Sequence, residues 1–229
     1  GLPLGGDVEE WRALANGDPV LADAMVELHE VFSNASELGS LIDPGKVGLG
    51  GMFAVNGDEL TARVEQALTR EKNIADPVAE VFGGFAKGAL RAFSLLKGEY
   101  HLAVTNPPFL KRQMHGNVLR DYCDKHHPAA IWNIATSFIE RCGTFTLPGG
   151  YYALVNPQNW LSSPTDEAFR KRLITEQILL WVACLGPRAF EAISGEVVQV
   201  ALMGVVNATP KPEFMVAGLD VSDYRTPLE

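Results

Sequence analysis

Several features that would place this sequence in a specialised class of protein are missing from it. Only three of its 229 residues are cysteines, at wide spacings, which excludes a disulfide-stabilised scaffold. No apolar run approaches the roughly 18 residues that a membrane span requires, and a secretory signal pattern is also missing. The net charge of −9 argues against a surface that is basic throughout. We therefore expect a cytoplasmic protein with no membrane partner.

The composition is typical of a globular domain, with 47% hydrophobic and 21% charged residues. Residues 1–98 carry most of the acidic excess and contain three helix-start signals, at Asp18, Asp58 and Asp76, of which the first and last precede proline. Apolar residues follow each start at helical spacing, and no stretch is a convincing strand. Residues 1–98 are therefore predicted to form a helical arm or insertion.

Beyond residue 98 the pattern changes to alternating strands and helices. Strands are predicted at 102–105, 151–156, 178–185 and 196–206, with helices at 129–142 and from Ser163 onward. This order predicts an α/β fold with a mostly parallel sheet and a final antiparallel strand. The near-continuous apolar run at 178–185 predicts a strand buried on both faces. Residues 209–229 are predicted to be a tail or linker, with weak strand character near 214–216.

The most informative stretch is Tyr100–Phe109, where a short apolar strand is followed directly by Asn106, Pro107, Pro108 and Phe109. Neither proline has a backbone N–H, so the chain must leave the sheet here. Open α/β sheets bind their ligands at the carboxyl ends of strands. The Asn106 amide oxygen and the Pro107 carbonyl can accept hydrogen bonds from one amino group, and Phe109 offers a face to a planar ring. The stretch suits a nucleobase held by its amino group, although it also fits a rigid turn after a buried strand.

Two other patterns allow both a functional and a structural interpretation. The glycine-rich passage 41–51 could cradle a cofactor, but such a loop needs a strand before it and a helix directly after it, so a flexible connector fits better. Cys123, His126 and His127 could ligate a metal ion, but no further ligand pair lies at a zinc spacing. We therefore expect no metal site.

Residues 110–128 form a long polar connection in which basic residues outnumber acidic ones. A mobile basic loop beside a site would suit contact with nucleic-acid phosphates, which makes Lys111 and Arg112 candidate substrate contacts. A solvated loop of mixed charge explains the same residues equally well.

Residues from about 99 to 206 resemble the second half of a large adenine-specific (N6) DNA methyltransferase. The type is that of the BREX and phage-growth-limitation systems of phage defence and of fused restriction-modification enzymes. The likeness rests on several segments in the same order: Val104–Phe109, Phe138–Arg141, Gly149–Val155 with Gln158–Trp160, and Leu185–Phe190 with Ile193–Val198. The fold it implies is a partial Rossmann-like methyltransferase sheet preceded by a helical region.

The resemblance implies double-stranded DNA as the substrate and S-adenosylmethionine as the methyl donor of the intact protein. An adenine would be flipped from the duplex, and Asn106 and the Pro107 carbonyl would accept hydrogen bonds from its N6 amino group. Pro108 completes the rigid turn and Phe109 would stack on the base. Phe190 would form the opposite wall, or else serve as a core aromatic beside a buried strand. Other restriction-modification or defence-system subunits are implied as partners.

The cofactor motifs of that family, a glycine-rich turn after a strand and an acidic residue on the next strand, are not found in this sequence. We therefore expect residues 99–208 to be the C-terminal half of a methyltransferase catalytic domain, in a fragment that is inactive alone. Two alternatives stay open. The same motif serves methylases of RNA bases and of protein glutamine, and a non-catalytic nucleic-acid-binding module could retain the sheet without the cofactor half.

Overall fold

The computed structural model describes residues 6–46 except 14 and 16, residue 62, and residues 77–186 and 198–223, with the side chains of 77–83 left undescribed. The chain divides into two compact units, Gly1–Gly98 and Glu99–Glu229. The predicted helix starts at Asp58 and Asp76, and Phe190, lie outside the described residues.

The described secondary structure of the first unit is entirely helical. Its helices are α1 (Val8–Ala13), α2 (Pro19–Phe32), α3 (Ala35–Leu38) and α4 (Pro77–Lys97), with a 3₁₀ turn at Gly39–Leu41. Asp18 caps α2 as the sequence predicts, because its carboxylate accepts hydrogen bonds from the amides of Val20 and Leu21 at 3.0 and 3.2 Å. The apolar face of α2 is buried: Leu21, Ala24, Met25, Leu28, Val31 and Phe32. No described helix has both the length and the hydropathy that a membrane span would need.

The second unit alternates strands and helices, which confirms the predicted α/β fold class. Its elements are β1 (Tyr100–Thr105), α5 (Asn117–His126), α6 (Ile134–Phe145), β2 (Thr146–Pro157), α7 (Glu167–Glu176), β3 (Ile178–Gly186), β4 (Val200–Val206) and β5 (Ala217–Asp220). Short 3₁₀ turns lie in the loops after β1 and β2, at Arg112–Met114, Gln158–Leu161 and Pro164–Asp166.

The described strands form one mixed sheet in the order β1-β2-β4-β3-β5. β1 and β2 are parallel, β4 runs antiparallel to both β2 and β3, and β5 is parallel to β3. Four strands therefore point the same way, and the predicted antiparallel strand is β4, inserted between β2 and β3. Strand β5 belongs to the stretch 209–229 predicted to be a tail or linker. Its sequence, Ala-Gly-Leu-Asp, has no alternation of apolar and polar residues that would have indicated a strand, and all four residues are exposed.

Helices α6 and α7 pack against one face of the sheet. Tyr152 on that face is buried, and its hydroxyl donates a hydrogen bond to the side chain of Gln177 at the end of α7. The same side chain lies against Gly143 of α6, where a Cβ atom would come within 2.6 Å of it. Alternate residues of β2 and β4, including Leu154 and Met203, are buried beneath these helices. The core of the second unit therefore lies between this face and the two helices.

The opposite face of the sheet is more open. Leu102 and Val104 of β1 are 62% and 69% exposed, and Trp181 of β3, which packs over Gly204 of β4, is 38% exposed. The prediction that strand 178–185 is buried on both faces is therefore wrong. An apolar run shows that a strand can be covered on both sides, but the cover depends on which elements lie above it.

Two predictions of local structure also need correction. The stretch 110–128 is not one long loop, because α5 occupies residues 117–126 with Leu119, Tyr122 and Cys123 buried at helical spacing. Its many charged residues lie on the other side and hid this pattern. The predicted bounds 129–142 of the next helix are also wrong, since α6 runs from Ile134 to Phe145 and passes through Gly143. The absent side chain at Gly143 makes room for Gln177 instead of ending the helix.

The junction between β1 and β2 depends on Gly150. A Cβ atom at this position would lie 2.9, 3.1 and 3.2 Å from the carbonyl oxygens of Leu147, Tyr100 and His101. All three obstacles are backbone atoms, which cannot turn aside as a side chain could. We expect Gly150→Ala to lower the free energy of unfolding by about 1–3 kcal/mol, measured by urea denaturation.

The matched control is Gly218→Ala in the same sheet, because a Cβ atom at Gly218 would meet nothing within 4 Å. This control is expected to change the free energy of unfolding by no more than about 0.5 kcal/mol. Equal effects of the two substitutions would show that the close approach at Gly150 is unimportant.

Candidate functional site

The Asn-Pro-Pro-Phe segment lies at the carboxyl end of β1, where the sequence predicts that the strand ends. β1 ends at Thr105, which is paired with Leu154 of β2, and Asn106 is the first residue beyond it. The Asn106 side chain is exposed and has no hydrogen bond to any of the residues that the structure describes. Pro107 is buried and Phe109 is half-buried. The amide of Asn106 is therefore presented to solvent from an anchored turn.

β2 ends with the same dipeptide, Asn156-Pro157, at the same edge of the sheet because the two strands are parallel. Its asparagine behaves differently, since Asn156 is fully buried and its Oδ1 accepts a hydrogen bond from the indole N–H of Trp160. The buried Nδ2 of Asn156 has no partner among the described residues. Asn156 thus fixes the loop after β2, and Asn106 remains available to a ligand.

The segment after Phe109 is held in place by backbone and side-chain bonds. The carbonyl of Leu110 accepts hydrogen bonds from the amide of Ile134 and from Nε2 of His115, both at 3.0 Å. The amide of Arg112 donates to the carbonyl of Trp132 at 3.0 Å. These bonds attach the residues after the motif to the start of α6, so this part of the predicted loop is ordered.

His115 is 4% exposed, and burial lowers its pKa. The positive charges of Arg112 and Arg120 lower it further, whereas the hydrogen bond to Leu110 opposes the shift. His115 is therefore neutral at pH 7, and because a carbonyl only accepts, Nε2 carries the proton.

The two candidate phosphate contacts occupy different settings. Arg112 forms a bidentate ion pair with Asp124 of α5, in which Nη2 donates to Oδ2 at 2.8 Å. This pairing raises the pKa of Arg112 and lowers that of Asp124, and it joins α5 to the loop after the motif. Lys111 is exposed and is one of the residues that line a cavity. A role in phosphate contact stays a prediction for both residues.

That cavity, here called the inter-loop cavity, has a volume of about 210 Å³ and lies between the loops after β1 and β2. Its lining residues are mostly polar or aromatic: Lys111, Gln113, Trp132, Asn133, Thr136, Pro157, Asn159, Trp160, Thr165 and Asp166. Asp166 is 4% exposed and its Oδ1 has no hydrogen-bond partner within the described ranges. Burial raises the pKa of this carboxyl.

Sequence reasoning missed Asp166, Trp132 and His115. Asp166 follows a serine-proline helix start and resembles an ordinary acidic residue of a first helical turn. Trp132 and His115 lie in a stretch whose order depends on contacts with α6, which no local pattern reveals. Phe190, predicted as a wall of the base pocket, lies outside the described residues.

The residues weighed as metal ligands have other contacts. His127 is fully buried, and its Nδ1 is hydrogen-bonded to Oε2 of Glu140 at 2.9 Å. The thiol of Cys123 is the acceptor of a 3.6 Å hydrogen bond from Ser137. Among the described residues no group of three His, Cys, Asp or Glu side chains is arranged to hold a metal ion.

The glycine-rich passage is described only as far as Lys46. Asp43 is buried there, and its Oδ1 accepts a hydrogen bond from the amide of Gly45 at 3.1 Å, which closes a turn on itself. The residues before it are the 3₁₀ turn Gly39–Leu41, not a strand. The described part of this passage therefore does not fit a site for S-adenosylmethionine.

The burial of His115 makes stability depend on pH. Because its pKa is lower in the folded than in the unfolded chain, its contribution is complete above about pH 6.5 and is lost as the pH falls through the folded value. We expect His115→Gln, whose amide can donate to Leu110 without titrating, to flatten the fall in thermal midpoint between pH 7.5 and pH 5, measured by circular dichroism. His101→Gln, at an exposed histidine of β1, is the control and should leave that fall unchanged.

Two curated proteins resemble the chain over most of its length. It is 26% identical over 196 residues to the adenine-specific methyltransferase PglX of Lacticaseibacillus casei (strain Zhang), covering 84% of the chain. It is 25% identical over 204 residues to the adenine-specific methyltransferase BrxX of Escherichia coli O9:H4 (strain HS), covering 89% of the chain. In both cases the match spans 16% of the relative's own length.

Solved structures also match the chain. The DrdV–DNA complex matches with a TM-score of 0.46 and 14% identity, over 95% of this chain and 30% of that one. A nuclease-deletion mutant of LlaGI, solved with a DNA substrate mimic, matches with a TM-score of 0.45 and 12% identity, over 72% of this chain and 19% of that one.

The profile of a sequence family covers residues 51–187, more than half of the chain, and by this match the chain belongs to the Eco57I restriction-modification methylase family.

Proposed function

We propose that the chain is part of an adenine-specific DNA methyltransferase of restriction-modification or phage defence, which transfers a methyl group from S-adenosylmethionine to N6 of a flipped adenine. The observation that carries the proposal is the exposed Asn106 amide at the carboxyl end of β1, directly before the buried Pro107. Membership of a methylase family and the likeness to two adenine-specific methyltransferases support the same reaction. Methylases of this kind take their methyl group from S-adenosylmethionine.

The proposed reaction requires the protein mainly to position the adenine amino group. The Oδ1 atom of Asn106 and the carbonyl of Pro107 would each accept one hydrogen bond from the adenine amino group. With both N–H bonds engaged, the nitrogen lone pair would point away from these acceptors and be free to take the methyl group. The sulfonium C–S bond would break with its electrons remaining on sulfur, which leaves S-adenosylhomocysteine, and N6 would then lose one proton to water. Such positioning, with two dipoles that stabilise the developing positive charge on nitrogen, replaces a strong base.

The surroundings of the motif would keep these acceptors in position. Pro107 fixes its own backbone angle and is buried, and the carbonyl of Leu110 is held by Ile134 and His115. Phe109 lies between these two anchors and is half-buried, so one part of its ring remains open to a base. A site held at both ends loses little conformational entropy when the base binds.

The methyl donor is proposed to bind outside the described residues, since the turn at Asp43 does not fit it. In this proposal residues 99–208 are the C-terminal half of the catalytic domain, which holds the adenine, and residues 1–98 are a helical arm or insertion. Residues 209–229 are a tail or linker that also supplies β5 to the sheet. Lys111 and Arg112 would contact the DNA backbone and Phe190 would close the base pocket. Further restriction-modification or defence-system subunits would assemble around this core.

The proposal is tested by Asn106→Ala in the complete polypeptide. Loss of one acceptor on the reacting nitrogen is expected to reduce methylation of plasmid DNA by at least about 100-fold, measured as tritium transfer from labelled donor. DNA binding measured by fluorescence anisotropy should change little, because the duplex is held mainly through its phosphates. Asn106→Asp keeps an acceptor oxygen and is expected to retain more activity than the alanine variant. Full methylation by Asn106→Ala would refute the proposal.

The placement of the donor site has its own test. Calorimetric titration of the 229-residue chain with S-adenosylmethionine is expected to show no binding, because the turn at Asp43 closes on itself and is not preceded by a strand. Micromolar binding would place the donor site within this chain and contradict the proposed division.

A further inference from the structure

The inter-loop cavity contains one acceptor atom that the protein itself does not satisfy. Asp166 is 4% exposed and lines the cavity, and its Oδ1 has no hydrogen-bond partner among the described residues. The carboxyl interacts with the side chains of Ser163 and Thr165, and the Thr165 hydroxyl lies 3.4 Å from the other oxygen, Oδ2. A buried polar atom without a partner costs free energy, so its retention calls for an explanation. A ligand that donates a hydrogen bond to Oδ1 would explain why this buried acceptor is retained.

The cavity is unsuited to an anion, although α6 begins at its wall. The first amides of α6 already have acceptors: Ile134 donates to the Leu110 carbonyl, Ala135 to the Asn133 side chain and Thr136 to the Asn133 carbonyl, each at 3.0 Å. No free amide of this helix end therefore remains for a phosphate. The negative charge of Asp166 would also repel an anion. The ligand must instead donate a hydrogen bond to the Asp166 carboxylate.

The size and the lining of the cavity favour a single planar ring system. Trp132 lines the cavity and is 39% exposed, which leaves an aromatic surface for stacking. Trp160 also lines it but is 2% exposed, with its N–H bonded to Asn156. The volume of about 210 Å³ is below the range of about 300–1,000 Å³ that is usual for larger ligands. Lys111, which also lines the cavity, would place a positive charge near the phosphate of a nucleotide whose base is inside.

We propose that the inter-loop cavity is a second nucleobase site, in which Asp166 accepts a hydrogen bond from the exocyclic amino group of a base and Trp132 stacks on its ring. This site is separate from the target-adenine site at Asn106, because neither Asn106 nor Phe109 lines the cavity. The proposal rests on the proposed function only for the source of the base, which would be the DNA strand that carries the target.

The two sites are close enough along the chain to act on one strand. Lys111 follows Phe109 by two residues, and it is paired with Asn133 in a short antiparallel bridge at the cavity wall. In this proposal, a strand whose target base lies at Asn106 would also pass the mouth of the cavity. The cavity would then contribute to the choice of a neighbouring base, favouring adenine, cytosine or guanine, which carry an amino group, over thymine.

The test uses two ligands that differ only in that amino group, 2′-deoxyadenosine and purine 2′-deoxyriboside. Their binding to the 229-residue chain is measured by ligand-observed NMR in an Asn106→Ala background, which removes the target-adenine contact. The amino compound is expected to bind about tenfold more tightly, as one hydrogen bond to a charged acceptor provides. Asp166→Leu keeps the branching of the side chain but has no oxygen, and it should reduce the ratio to within about twofold.

Trp132→Ala is the companion variant, because it removes the stacking surface and leaves the acceptor. Both ligands should then bind at least about fivefold more weakly, with their ratio preserved. An unchanged ratio in Asp166→Leu, unchanged affinities in Trp132→Ala, or no binding of deoxyadenosine would each overturn the inference. If Asp166→Leu fails to fold, the affinities measured for Trp132→Ala alone decide whether the inference stands.

These outcomes are independent of the proposed reaction. Methylation that survives Asn106→Ala in the complete polypeptide would refute the proposed function and leave the nucleoside ratio unaffected. An intact methylation activity with no discrimination between the nucleosides would refute the second site alone.

Discussion

The parallel pairing of β1 with β2 is the constraint on which the candidate site depends. The pairing carries the two strands in the same direction as far as Thr105 and Leu154, so that both carboxyl ends reach one edge of the sheet. Gly150 permits it, because β2 passes the carbonyls of β1 too closely for a side chain. The loops that leave this edge are then brought against the start of α6. The exposed amide and the inter-loop cavity both follow from that arrangement.

The two Asn-Pro dipeptides show how the same local sequence reaches different outcomes. Each asparagine stands at the end of a parallel strand, where proline stops the ladder. After β2 the chain turns at once into a 3₁₀ turn, which brings Trp160 back over Asn156 and uses its amide oxygen inside the fold. After β1 the chain runs on to Leu110 before it is held by α6, and Asn106 keeps its polar atoms free of the described protein. The asparagine that is left without a partner is the one suited to a ligand.

The sequence could predict what depends on local chemistry. Proline at the end of an apolar strand, Asp18 as a helix cap and the α/β alternation each follow from residue properties, and the structure agrees with them. The errors concern contacts between distant segments. The apolar run of β3 did not reveal that Trp181 would be partly exposed, and the charges of α5 masked its buried side. For the same reason the cavity at Asp166 could not be foreseen, since its walls come from two loops and the start of a helix.

The position of β1 at the border of the described sheet has a consequence for assembly. Its outer side presents backbone donors and acceptors that no described strand pairs with. A strand that joined there in parallel would end beside Asn106, with its own following loop directed at the same space. Its register would be fixed in steps of two residues by the alternation of side chains on the sheet. A strand added at this border would therefore stabilise the sheet. Its register would also determine how far the groups on its following loop lie from the Asn106 amide.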